Sequence, residues 1–135
     1  MTTLLFCGSI DGWKRVDFFR KCNGKQHTLT LFKILNGPCI GGYTKSKWIE
    51  HPKLNERNGA DPDAFLFNLT QRRHFPVKNP AFAIKNSEMW GPYFGNGELG
   101  ADNDDFNEDL ACVSLTGERV YDIPENSSGI NQLTS

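Results

Sequence analysis

The brevity of its apolar runs constrains this chain most. Those runs are mostly about four to seven residues long, and Gly, Asn and Pro separate them. A helix of ordinary length needs an apolar stripe held over about ten residues or more, whereas short runs bounded by turn formers make strands. The clearest run is Thr28-Leu29-Thr30-Leu31-Phe32-Lys33-Ile34. Its period of two predicts a half-buried antiparallel strand with threonines outward and leucines inward. Asn36-Gly37 signals a hairpin turn, loosened by Pro38, and Cys39-Ile40-Gly41-Gly42-Tyr43-Thr44 is the return strand. Its paired glycines predict a bulge or a close backbone approach.

Residues 64–70 form the most apolar strand and are expected at the centre of a sheet. Leu4-Leu5-Phe6-Cys7 reads as a first strand, residues 75–78 and 81–84 as later ones, and residues 112–115 and 119–123 as weak last ones. Residues 45–63 read as a polar surface loop and residues 91–95 as a turn. One helix is predicted, over residues 13–21, with Trp13, Val16, Phe18, Phe19 and Cys22 on one broad face. Asn23-Gly24 suits its C-terminus, where Lys21 and Lys25 are favoured by the dipole. Six or seven short strands with one early helix predict a mostly β fold, a two-sheet antiparallel β-sandwich with short flanking helices.

A chain of 135 residues is one domain. Its formal net charge of -1 provides no field to hold a polyanion, so nucleic acid is not an expected partner. No apolar run approaches the length of a membrane span, and Met1-Thr2-Thr3-Leu4-Leu5-Phe6 lacks the basic and apolar regions of a signal peptide. A cytoplasmic protein is therefore expected. Cys7, Cys22, Cys39 and Cys112 show no zinc-knuckle or thioredoxin spacing, so reduced thiols are expected.

Candidate chemistry is sparse. Gly95-Asn96-Gly97-Glu98-Leu99-Gly100 matches a dinucleotide-loop pattern, but no buried strand precedes it and carboxylates follow it, so it reads as a glycine-rich turn. Asp102, Asp104 and Asp105 are weak calcium candidates, since their spacing departs from that of an EF-hand loop. His27, His51 and His74 share no ligand spacing. Cys22 is the redox candidate, although the C-terminal end of a helix opposes thiolate formation. Arg72, Arg73 and Lys78 form a modest basic patch, read as a docking surface for an acidic protein partner. Asn68-Leu69-Thr70 and Asn126-Ser127-Ser128 fit the glycosylation sequon, the first inside a predicted core strand. No catalytic constellation is recognisable, and neither an enzyme nor a cofactor is expected.

The ordered motifs resemble one family, the TLDc domain of the oxidation resistance proteins, their nuclear receptor coactivator relatives and a group of TBC-containing proteins. The resemblance is carried by Leu4-Leu5-Phe6-Cys7-Gly8-Ser9-Ile10-Asp11-Gly12-Trp13 and by Asp17-Phe18-Phe19-Arg20-Lys21-Cys22-Asn23-Gly24-Lys25. It continues through residues 28–33, Ile40-Gly41-Gly42-Tyr43-Thr44, Trp48, Asp63-Ala64-Phe65-Leu66-Phe67-Asn68-Leu69 and Gly91-Pro92-Tyr93-Phe94-Gly95. It covers residues 4 to about 124 and implies a β-sandwich of two antiparallel sheets. It also implies a non-catalytic, monomeric interaction domain tied to protection against oxidative damage. The implied partner is the peripheral sector of the vacuolar proton-pumping ATPase, whose assembly such domains modulate. The alternative is a peroxide-scavenging or redox-sensing protein acting through Cys22.

Two departures bear on the fold. After Gly95 the family usually continues Asp-Leu-x-Ile, where this chain has Glu98-Leu99-Gly100-Ala101. The family also ends in an alternating strand rich in Phe, Val, Ile and Glu, in place of which residues 125–135 form a polar tail. A single domain over residues 1–135 that lacks this last strand is expected to leave a sheet edge unpaired, at residues 64–70 or their neighbours.

Overall fold

The computed structural model describes residues 2–33, 37–101, 120–124 and 133. Two helices come first, a single turn α1 (Gly8–Asp11) and α2 (Arg15–Cys22). Eight strands follow: β1 (Thr28–Lys33), β2 (Cys39–Thr44), β3 (Asn58–Gly59), β4 (Phe65–Asn68), β5 (Arg73–Pro76), β6 (Ile84–Lys85), β7 (Tyr93–Phe94) and β8 (Leu99–Gly100). They form two antiparallel four-stranded sheets, ordered β1-β2-β4-β5 and β3-β6-β7-β8. The mostly β two-sheet sandwich expected from the sequence is the fold observed.

One core joins the sheets. Ile40 and Leu66 from the first sheet pack with Ile84, Phe94 and Leu99 from the second, and Phe18, Phe19 and Trp48 close one end. Trp48 meets Phe18 and Phe94 edge to face, with centroids 5.7 and 5.5 Å apart. Side chains on β1 alternate, with Thr28, Thr30 and Phe32 half-buried and Leu29, Leu31 and Lys33 exposed. The strand and its period are as predicted, but its faces are reversed. Leu29 and Leu31 are 57% and 54% exposed, whereas Thr28 accepts the Trp48 indole N–H at 2.9 Å and Phe32 packs on the core. Phe32 decides the orientation, because a phenyl ring carries more apolar area to the core than either leucine.

Several other expectations are corrected. The helix begins at Arg15, because Lys14 is extended and its amide is capped by the Asp17 carboxylate at 3.1 Å; Val16 is 49% exposed. Residues 4–7 form no strand, since no neighbouring backbone pairs with residues 2–6 among the described residues. The stretch 45–63 is more than a surface loop: it contains buried Trp48 and Asp61 and strand β3. Residues 80–82 form a 3₁₀ turn, so of the strand predicted over residues 81–84 only Ile84 is paired, in β6. Tyr93 and Phe94, read as a turn, are strand β7.

Nor is β4 an edge. It lies between β2 and β5, and the far side of β5 leads into residues 120–122 through a Val77–Tyr121 bridge. Among the described residues, β1 and β5 are the outer strands of this sheet, and β1 has a neighbour on one side only. The predicted strand at residues 112–115, the 36–37 turn signal (but for Gly37), Cys112 and the 125–135 tail (but for Leu133) lie outside the described residues. No helix among the described residues is long and apolar enough to cross a membrane.

Candidate functional site

The glycines and aromatics singled out by the sequence are consumed in holding the chain together. Asp11 accepts the Cys7 amide at 2.8 Å and so closes α1. Ser9 Oγ lies 3.3 Å from Cys7 Sγ, beside it. A Cβ on Gly8 would enter the Trp13 ring, and Gly12, at φ +114°, leaves room for the Asp17 carboxylate. Gly41 lies under the Phe67 ring and Gly42 under the Phe94 ring, where an added Cβ would come within 2.5 and 2.6 Å of ring carbons. The paired glycines of β2 are therefore the predicted close approach, one glycine on each face of the sheet. Tyr43 stacks on Phe65 at 5.3 Å. Gly91 and Pro92 exchange backbone bonds with Ala101.

The Gly95–Gly100 segment is the β7–β8 hairpin, a glycine-rich turn as expected, with Gly95 at φ +68°. The buried role of its Glu98 is not legible in the sequence: the side chain is 3% exposed and bonded through both carboxylate oxygens. One carboxylate oxygen accepts the Asn96 amide at 2.8 Å, and the other accepts those of Val120 and Tyr121 at 2.8 and 2.7 Å.

The TLDc domain family model matches residues 1–118 of the 135-residue chain. The chain belongs to the TLDc family. No curated protein and no solved structure matches it. In this TLDc domain the motif residues described above serve packing and backbone bonding.

The basic patch is stretched along β5. Arg72 sits in the β4–β5 turn at φ 57°, exposed, while Lys78 lies beyond the other end of the strand, also exposed. Six positions of extended chain separate them by roughly 20 Å. Arg73 is half-buried between them, its guanidinium 5.1 Å from the Phe75 ring centroid. The three charges therefore offer a line along one sheet edge and not a cluster.

Cys22 ends α2 and is 5% exposed. Burial pushes its thiol up to about 11; Asp11 adds to this, and Lys25 only partly offsets it. This is the reverse of the environment that makes a thiolate nucleophile. Cys7 and Cys39 are half-buried, and all three are free thiols. The calcium candidates Asp102, Asp104 and Asp105 lie outside the described residues, among which no group of three or more His, Cys, Asp or Glu side chains gathers to hold a metal. His27, His51 and His74 are exposed.

Three further polar side chains escaped sequence reasoning. Arg15, 8% exposed, donates to the carbonyls of Glu50 and Ser87 at 2.6 and 2.7 Å and lies over Phe19. Asn86 bridges Ile49 and Glu56. Asn68 donates to the Leu133 carbonyl at 2.9 Å and accepts the Gln71 amide. Asn68 is fully buried, so its sequon presents no acceptor at the surface. A lone charge or amide in a sequence carries no periodicity, and only the tertiary contacts reveal these roles.

Proposed function

We propose that this TLDc domain is a non-catalytic, cytoplasmic interaction module that acts in protection against oxidative stress by binding the peripheral sector of the vacuolar proton-pumping ATPase. Family membership over residues 1–118 carries this reading, and it supports a role related to oxidative stress. The engagement of the motif side chains in packing favours a scaffold over a reaction centre. Exposed Arg72 and Lys78, which form no ion pair among the described residues, are the first candidates for contacting an acidic partner surface.

A pull-down of cytosolic extract on the chain tests this. Enrichment of peripheral-sector subunits, lost when Arg72 and Lys78 are both changed to Glu, is the expected result. Recovery of no ATPase subunit overturns the ATPase assignment. The alternative, peroxide consumption through Cys22, is disfavoured by the burial of that thiol, and a Cys22→Ser variant with unchanged peroxide decay removes it.

A further inference from the structure

Asn-Gly occurs at residues 23–24, 36–37, 58–59 and 96–97, and all but the second pair lie wholly within the described residues. Such a pair can react with itself. The glycine nitrogen attacks the side-chain carbonyl carbon of the asparagine, unhindered because glycine has no Cβ. The attack needs a nitrogen that is not donating a hydrogen bond and a backbone that can swing toward the side chain. A pair held by the fold therefore reacts only when the chain opens locally.

The fold treats the three pairs differently. Gly24 donates its amide to the Trp48 carbonyl at 2.7 Å, and the Asn23 side-chain oxygen accepts the Glu50 amide at 2.8 Å. Both reacting groups of that pair are occupied. Asn58 and Gly59 form β3, where Gly59 is buried and paired with Ile84. Asn96 and Gly97 instead lie in the turn between β7 and β8. Asn96 is exposed there, and the Gly97 amide makes no hydrogen bond among the described residues.

The same turn holds Glu98. The Asn96 N–H fills one of its carboxylate oxygens at 2.8 Å, and the other oxygen holds the amides of Val120 and Tyr121. Aspartate at position 96 would set a second negative charge two positions from this buried one. Isoaspartate would also lengthen the main chain by one methylene and displace the donor. A buried carboxylate is weakened by the loss of a donor and by a like charge.

We propose that Asn96–Gly97 is a self-modification site whose product loosens the Glu98 hold on residues 120–121. The bond from the Gly97 nitrogen to Asn96 Cγ forms, the Cγ–Nδ2 bond breaks, and ammonia leaves with the Gly97 proton. Water then opens the cyclic imide at either carbonyl to give aspartate or isoaspartate. Water is the sole co-reactant. The site stands whether or not the ATPase is a partner.

The test ages the full chain at neutral pH in heavy-oxygen water and maps the label by peptide mass. In the folded chain position 96 is expected to gain label at least about tenfold faster than position 23 or 58, and in urea the three are expected to agree within about threefold. Amide exchange at Val120 and Tyr121 is expected to be at least about fivefold faster in the converted chain than in the fresh one. Asn96→Gln, aged in parallel, is expected to keep the exchange of the fresh chain. Equal labelling at position 23 or 58 in the folded chain overturns the proposal, as does no label at 96 while the unfolded chain converts. So does unchanged exchange at 120 and 121 after conversion, or faster exchange there in aged Asn96→Gln, since the change then arises at another position.

Discussion

Glu98 accepts the backbone amide of Tyr121 at 2.7 Å across 23 positions of sequence. The same oxygen takes the Val120 amide, and the Tyr121 hydroxyl reaches on to the Ala83 carbonyl at 2.6 Å. A buried carboxylate is tolerated only when its lone pairs are filled, and here the filling is done by main chain. The hairpin of the second sheet thereby fixes where residues 120–121 run, and those residues in turn bond to Lys78 and Asn79 beyond β5.

Glu98→Gln is expected to cost about 2–3 kcal/mol, because an amide has one acceptor oxygen for three donors and turns its own N–H₂ on a backbone N–H. Urea unfolding reads the loss directly. A midpoint within error of the parent chain would show that the amide flips into a satisfied arrangement.

Cys22 is expected to be the slowest of Cys7, Cys22 and Cys39 to react with iodoacetamide near neutral pH. Its folded thiol titrates near 11 and the ordinary value is 9.0. The neutral form is therefore the one the fold prefers. Between about pH 9 and 11 the unfolded chain holds fewer protons at this site than the folded chain, so its contribution to stability falls as pH rises through that window. Mass-mapped alkylation across pH 7 to 11 checks both statements; rapid labelling of Cys22 at pH 7 contradicts them.

The outward leucines of β1 make a third prediction. Leu29→Thr and Leu31→Thr are expected to change stability by less than about 0.5 kcal/mol each, as exposed positions do. Leu66→Ala, on the inner face of β4, is expected to cost about 2–5 kcal/mol. Parallel denaturation curves decide; a large loss at Leu31 would place it back in the core.

Gly42→Ala is expected to destabilise by about 1–3 kcal/mol through overpacking, since the new methyl meets the buried Phe94 ring. Gly42→Ala combined with Phe94→Leu should recover part of that loss if the ring is the obstacle. Independent, additive losses in the pair would point to the backbone instead.

These positions show what was legible in the sequence. The Thr/Leu period gave the strand, and the Gly41-Gly42 pair gave the close approach, because both are local patterns. The face of β1 was not legible: it depends on Phe32 meeting the core and on Trp48, from a distant loop, bonding to Thr28. The helix start is not legible either: the Trp13 ring is spent on covering Gly8, a contact made before the helix begins at Arg15. For the candidate site, the basic residues around β5 were visible, but their spacing along the strand was not. Residues 4–7 are apolar enough to form a strand, yet a strand is made by its neighbour.

Arg15 holds α2 to the segments around Glu50 and Ser87 through peptide carbonyls, with no carboxylate bonded to it among the described residues. Mobile ions screen charge against charge most strongly, and a buried guanidinium bound to neutral dipoles gives them little to act on. The joint between helix and loops is thus set by dipole geometry, and it should grip equally in dilute buffer and in concentrated salt.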